Sequence, residues 1–180
     1  RLFIQKAEDV ARRFDELYSL LPSPPPRARV YEDDANVLAK VDDNSIDAII
    51  TSPPYVATYD YLAHHQMRLR WLGLDSRKLA RGEMGARRNY VRLDAREANA
   101  SWENELGMLF KSLARVLVRD GALVLLIADS AQGTPRGPIA IRADEVVKRV
   151  AEKGGRLVPI ARASQARPHF HAATQEAFRD

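Results

Sequence analysis

Ser52-Pro53-Pro54-Tyr55 is the segment whose residue types and spacing could do chemistry. Two consecutive prolines fix two φ angles, and each pushes the residue before it towards extended geometry, so the backbone is stiff. The Ser52 hydroxyl and the Pro53 carbonyl can then be held as two preorganised acceptors, with the flat face of Tyr55 beside them. That arrangement suits the gripping of a planar amino group on an aromatic base. The lone pair of such an amine is delocalised into its ring, which makes it a poor nucleophile. Two acceptors on its N–H bonds favour a tetrahedral nitrogen and free the lone pair, so that a positively charged methyl donor in line with it can be attacked. The protein's part is positioning and electrostatic stabilisation, with Tyr55 stacking on a base taken out of its helix or presented single-stranded. The plainer reading is a rigid loop in which Tyr55 merely packs.

The elements that must position this loop follow from patterning. Phe3, Ala7, Val10, Phe14, Leu17 and Leu21 repeat in 4-3-4-3-4 steps and predict a helix over residues 2–21. The prolines from Pro22 to Pro26 end it, and residues 22–28 read as a stiff connector. A short strand is expected at Arg29-Val30-Tyr31, helical turns over 36–41, and a turn at Asp42-Asp43-Asn44-Ser45. Ile46 to Ile50 reads as a strand covered on both faces. Tyr59 to Leu72 reads as a helix stopped by Gly73. Residues 75–98 form a basic, irregular insertion. Ser101 is the expected N-cap of a helix whose buried stripe is Trp102, Leu106, Leu109, Leu113 and Val116. Asp120-Gly121 is the turn out of it, and Ala122 to Ala128 the central buried strand. A helix at about 140–153, closed by Gly154-Gly155, and a strand over 157–163 complete the series. Alternating strands and helices predict an α/β fold with a mainly parallel sheet. Ligands bind such sheets at the carboxyl ends of strands, where Asp34, Ser52–Tyr55 and Asp129 are expected.

Thr51-Ser52-Pro53-Pro54-Tyr55 resembles the catalytic motif of the amino-group DNA methyltransferases, which use S-adenosylmethionine. Ser in first place resembles the N4-cytosine type. Glu32-Asp33-Asp34-Ala35 and Asp43 to Ile50 resemble the family's stretch leading into that motif, and Arg119-Asp120-Gly121 its later turn and strand. The similarity covers residues 28–128. It implies a class I, Rossmann-like domain, of which residues 1–180 would be the catalytic portion. It implies Ser52, Pro53, Pro54 and Tyr55 as catalytic, and Asp34 with Ala35 as cofactor-binding, Asp34 accepting from the adenine amino group. An ordinary turn cap is the plainer role for Asp34. The implied reaction is methylation of cytosine N4 in DNA, in a restriction–modification setting. Methylation of guanine N2 in transfer RNA is the rival within the class. A non-catalytic nucleic-acid-binding module of the same shape is the rival outside it.

The sequence departs from the family at the cofactor. The D-P-F-x-G-x-G loop that wraps the methionine end is absent, as is the acidic residue for the ribose, and glycine is sparse at 9 residues. The two strands expected to lie between those at 29–31 and 46–50 are absent too. The expectation is that a segment before Arg1, or less favourably after Asp180, or another chain completes the site. The 180 residues alone are then not expected to bind S-adenosylmethionine at micromolar concentration.

Charge points to the partner. Eight basic residues lie between Arg68 and Arg92, against Asp75 and Glu83 alone, so this stretch carries +6 of a net +4 while the remainder sums to −2. That reads as a surface for a polyanion, with Arg77, Lys78, Arg81, Arg87, Arg88 and Arg92 as phosphate contacts to DNA, RNA being the alternative. On the helix before it, Tyr61 and His65 share a face. Either they point together from the site, or Tyr61, Met67 and Trp71 pack while the arginines are solvated.

Other chemistry is excluded or weak. The chain of 180 residues has no cysteine, so neither a disulfide nor a thiolate site is available. It has no G-x-S-x-G. No apolar run approaches the roughly 20 residues of a membrane helix, and cytoplasm is the expected location. His64-His65 lacks helical ligand spacing, and His169-Phe170-His171 reads as a surface strand, so no metal is expected.

Overall fold

A computed structural model describes residues 1–134, 137–154 and 157–165. The expected strand over 157–163 does not form: residues 157–165 are irregular, although Leu157 packs against the core. His169 and His171 lie outside the described residues.

The chain divides into two units, residues 1–32 and 33–180. The first holds helix α1, Leu2–Ser19, which ends two residues before its apolar stripe predicts. Its carboxylates and arginines pair along one side, Arg12 with Asp9 at 2.7 Å and with Glu16. The prolines after it form no regular element, and neither does Arg29-Val30-Tyr31. Val30 is exposed and hydrogen-bonds to no neighbouring strand, so the expected first strand does not form.

The second unit is mixed α/β. Strand β1, Ile46–Thr51, pairs in parallel with β2, Leu117–Leu125. Between them run α2 (Tyr61–Trp71), α3 (Arg77–Gly82), α4 (Arg87–Tyr90) and α5 (Ala95–Val116). An antiparallel pair, β3 (Ser130–Thr134) and β4 (Gly137–Ile141), and helix α6 (Ala143–Gly154) follow.

The long helix α5 organises the core. It begins at Asp94, not at Ser101: the Asp94 carboxylate accepts from Glu97 N–H at 2.9 Å, and Glu97 accepts in return from Asp94 N–H at 3.0 Å. This reciprocal capping box satisfies two donors that a helix start otherwise orphans. The predicted stripe from Trp102 to Val116 is buried, with Ala98 and Phe110 added, and packs with Tyr90, Ile141 and Val146. Glu103 ties α5 to α6 through Arg149 at 2.8 Å and Lys153 at 2.9 Å.

The sheet differs from expectation in two ways. First, Asp120-Gly121 is folded into β2, not placed before it. Ile46 pairs with Leu117 but Ala48 with Ala122, so extra residues bulge from β2, with Asp120 at φ +65°. Gly121 is needed there, because a Cβ would lie 3.1 Å from Asp47 O and 3.0 Å from Val118 O. Second, the strands are covered on one face only. Ile49, Leu123 and Leu125 turn towards the core, while the alternating Ile50, Val124 and Leu126 are exposed, Ile50 at 83%. Period-two alternation decides which side is which. No third strand pairs with β1 or β2 among the described residues.

Candidate active site

The parallel pair delivers Ser52-Pro53-Pro54-Tyr55 at the carboxyl end of β1, anchored where Leu126 N–H donates to Thr51 O at 2.9 Å. Pro53 is buried, Pro54 and Tyr55 are half-buried, and Ser52 is exposed. Neither the Ser52 hydroxyl nor the Pro53 carbonyl has a hydrogen-bond partner among the described residues. Neither acceptor is therefore spent on the protein, and the Ser52 hydroxyl stands at the surface.

The next residues lock the loop from behind. Val56 and Ala57 are buried, and Thr58 N–H closes a turn on Tyr55 O at 3.2 Å. Ala57, at φ +53°, donates to Gly85 O at 2.9 Å. Gly85 N–H donates to Glu105 at 2.6 Å, and the Tyr90 hydroxyl donates to the other Glu105 oxygen at 2.7 Å. Burial, then the bond to Glu105, pushes the Tyr90 phenol well above its ordinary range. A carboxylate on helix α5 thus reaches the Ser52–Tyr55 loop through a single glycine.

A second carboxylate fixes the start of α2. Glu83, with its side chain 3% exposed, accepts from Leu62 N–H at 3.2 Å and from Tyr61 N–H. Arg88 bridges Glu83 at 2.6 Å and Asp60 at 2.7 Å, and donates to Ala80 O at 3.0 Å. The bond to Glu83 raises the Arg88 pKa. Arg88 is therefore taken up by the frame of the site. Of its fellow cations, Arg77 pairs with Asp75 at 3.0 Å and Arg81 reaches Arg77 O at 3.3 Å. Lys78 lies where its charge helps to lower the Asp33 pKa, after the larger effect of Lys40 N–H. Arg87 and Arg92 are exposed and carry no ion pair among the described residues.

Beside Tyr55 the rings of Tyr59 and Tyr61 lie 5.7 Å apart, and Tyr61 stacks on His65 at 6.3 Å. Burial, then the neighbouring Tyr59, Tyr55 and Glu83, raises the Tyr61 pKa. Tyr61 and His65 thus point together, and Met67 and Trp71 do not pack: both are exposed.

Asp34 and Ala35 do not stand at a strand end, because no strand precedes them. They open a turn tied to α5: the Ser112 hydroxyl donates to Ala35 O, and Arg115 donates to Val37 O at 3.0 Å and Leu38 O at 2.8 Å. Asp34 caps that turn through Asn36 N–H at 2.9 Å. The Asn36 side-chain oxygen beside it is buried without a partner. Asp129 caps α6 by accepting from Ala143 N–H at 2.8 Å. No group of three or more metal-binding side chains occurs among the described residues, and no helix there is long and apolar enough to cross a membrane.

Glu83, Gly85, Tyr90 and Glu105 are absent from the sequence reading of the site. Glu105 alone left a signal: it follows Trp102 by three residues, which puts a carboxylate beside the buried stripe.

No protein-family profile matches the chain, and no solved structure matches it. A segment of 44 residues, 24% of the chain, is 48% identical to Type II methyltransferase M.BsoBI of Geobacillus stearothermophilus and covers 9% of that protein's length.

Proposed function

We propose that the chain transfers a methyl group from S-adenosylmethionine to an exocyclic amino group of a nucleic-acid base, with cytosine N4 in DNA as the acceptor. The observation that carries this reading is the pair of unpartnered acceptors, Ser52 Oγ and Pro53 O, on a proline-stiffened turn at the end of a parallel strand. The 44-residue similarity to a methyltransferase supports it. In this reading β1 and β2 belong to a class I methyltransferase sheet and α5 is one of its flanking helices.

The residues present suit one end of the cofactor. Asp34 keeps a carboxylate oxygen outside its turn, and the buried Asn36 Oδ1 lacks a donor, so the two fit an adenine amino group. The described residues provide no counterpart for the ribose or the methionine end. When bound, S-adenosylmethionine supplies an electrophilic methyl. The protein's own residues grip the amine: Ser52 and Pro53 accept its two N–H bonds and turn its lone pair outward, while Tyr55 stacks on the ring. Arg87 and Arg92 are exposed without an ion pair among the described residues and are open to phosphates.

Labelled methyl transfer from S-adenosylmethionine by the full-length protein to plasmid DNA, to bulk transfer RNA and to no acceptor tests the reading. Transfer to DNA is expected. Ser52→Ala should lower kcat about a hundredfold, the size typical of losing one preorganised electrostatic contact. Tyr55→Ala should raise KM as well. Transfer to RNA alone would move the substrate, and nucleic-acid binding without transfer to either would leave a binding module. Full activity in both variants would overturn the mechanism.

A further inference from the structure

Helix α2 leaves the candidate site pinned at its start and free along its length. Asp60 caps it through Ala63 N–H at 3.3 Å, and Glu83 holds its first amides. Beyond that first turn it has no buried residue. Tyr61, His64, Arg68 and Trp71 follow one another by three, four and three positions, so they share a face. Met67 lies on its edge. Tyr59 meets His64 edge-on at 6.1 Å, Tyr61 stacks on His65, and Arg68 reaches His65 Nδ1 at 3.1 Å. Trp71 is 88% and Met67 82% exposed. The helix carries no carboxylate, and Arg70 has no ion pair among the described residues.

We propose that this face is a stacking track for unpaired nucleotides that flank the target base. An exposed indole in line with half-exposed rings, interleaved with cations on a helix that carries no acidic group, matches what a single strand offers: flat bases on a string of phosphates. A protein partner that buried Met67 and Trp71 would have to bury Arg68 between them. The track starts beside Tyr55, where Tyr59 and Tyr61 stand. Eleven residues at 1.5 Å each give roughly 16 Å, room for about four nucleotides at the 3.4 Å spacing of stacked bases. The proposal rests on the reading of a nucleic-acid substrate and is independent of methyl transfer.

Trp71 makes the test direct, because it is exposed while Trp102 is fully buried, and Trp71→Phe identifies its share of the emission. Unlabelled 12-nucleotide single strands, deoxy and ribo, are titrated into the full-length protein while emission and acrylamide quenching are followed. Either strand is expected to dim Trp71 and shield it, more strongly than a blunt duplex of the same sequence; the tighter of the two identifies the source. Trp71→Ala should weaken binding of a fluorescein-labelled strand about fivefold to a hundredfold, the range for losing one base–aromatic stack, with its salt slope unchanged. Trp71→Phe should restore most of it. Arg68→Ala with Arg70→Ala should flatten the salt slope. A strand that binds while Trp71 stays accessible overturns the track, as does shielding of Trp71 by self-association before any strand is added. If Ser52→Ala and wild type both shield Trp71 but neither transfers methyl, the enzymatic reading fails and the track stands. Unchanged KM for a nucleic-acid acceptor in Trp71→Ala sinks the track alone.

Discussion

Glu105, midway along α5, accepts the hydroxyl hydrogen of Tyr90 at 2.7 Å while its other oxygen holds Gly85 N–H at 2.6 Å. Gly85 in turn accepts from Ala57, two residues after Tyr55. The position of the Ser52–Tyr55 loop is therefore set by a carboxylate twenty residues beyond Gly85, on α5. The loop's prolines make it stiff; Glu105 decides where the stiff piece sits.

Removing that carboxylate should uncouple the two. Glu105→Ala removes the acceptor of Gly85 N–H and one of the hydrogen-bond partners of the buried Tyr90 hydroxyl, a loss of about 1–3 kcal/mol. Urea unfolding should show it as a lower midpoint, and methyl transfer should fall beyond what partial unfolding explains. Glu105→Gln keeps an acceptor and should recover most of the stability. Equal midpoints for wild type and Glu105→Ala would show that the contact does not hold the loop.

Gly85 is the point where the basic stretch of residues 75–98 touches the loop. Its φ is +65°, a region open to glycine and costly for other residues, and an added Cβ would meet Val56 Cα at 3.2 Å. Backbone cannot swing aside as a side-chain tip can. Gly85→Ala should cost about 1–2 kcal/mol from conformation alone and displace Val56, and Tyr55 with it. The expected signature is a kcat loss with little change in single-strand binding on α2. A fully active Gly85→Ala protein would argue that the loop tolerates movement.

Two adjacent arginines should behave differently. Arg88 is committed to Glu83 and Asp60, so Arg88→Ala leaves a carboxylate that is 3% exposed without its cation. A destabilisation of about 1–3 kcal/mol is expected, discounted from that of a fully buried pair because Arg88 itself is 30% exposed. Arg87 donates its backbone N–H to Tyr59 O at 2.9 Å and leaves its guanidinium at the surface. Arg87→Ala should keep the unfolding midpoint and reduce the salt dependence of nucleic-acid binding by about one phosphate contact. Paired melts and salt titrations of the two single variants check this. Identical profiles would remove the distinction.

What was legible in the sequence is what local chemistry controls. The stripe of α5, the strand before Ser52 and the stop at Gly73, with φ +64°, all follow from side-chain period and backbone freedom. Even the true start of α5 was open to reading, since Asp94 and Glu97 have capping-box spacing, whereas Ser101 is an N-cap only by residue type. The misreadings concern neighbours. Arg29-Val30-Tyr31 has strand-like residues but no strand to pair with. Residues 46–50 and 122–128 have the composition of strands covered on both faces, while one face of the pair lies open. The site divides in the same way. Ser52 to Tyr55 is a contiguous motif, visible as such; Glu83, Tyr90 and Glu105 act on it across twenty or more positions, and nothing local marks them.

The junction of α5 with α6 should respond to acid. Hydrogen bonds from Lys153, and then from Arg149, hold the Glu103 carboxyl below its ordinary value of 4.5. A carboxylate whose folded-state pKa is depressed adds stability that is fully present above its unfolded pKa and is lost as pH falls through the lower, folded one. The loss should begin as pH drops below about 4.5 and continue downward, with α6 held less tightly on α5 as Glu103 is protonated while its buried Val146 and Val150 stay packed. Glu103→Gln removes the titration. Its unfolding midpoint should be lower than that of wild type at pH 7, and the two should converge in acid. Hydrogen exchange at the amides of α6 gives the local readout. A constant gap between the two proteins from pH 7 to pH 3 would show that this junction does not depend on the Glu103 charge.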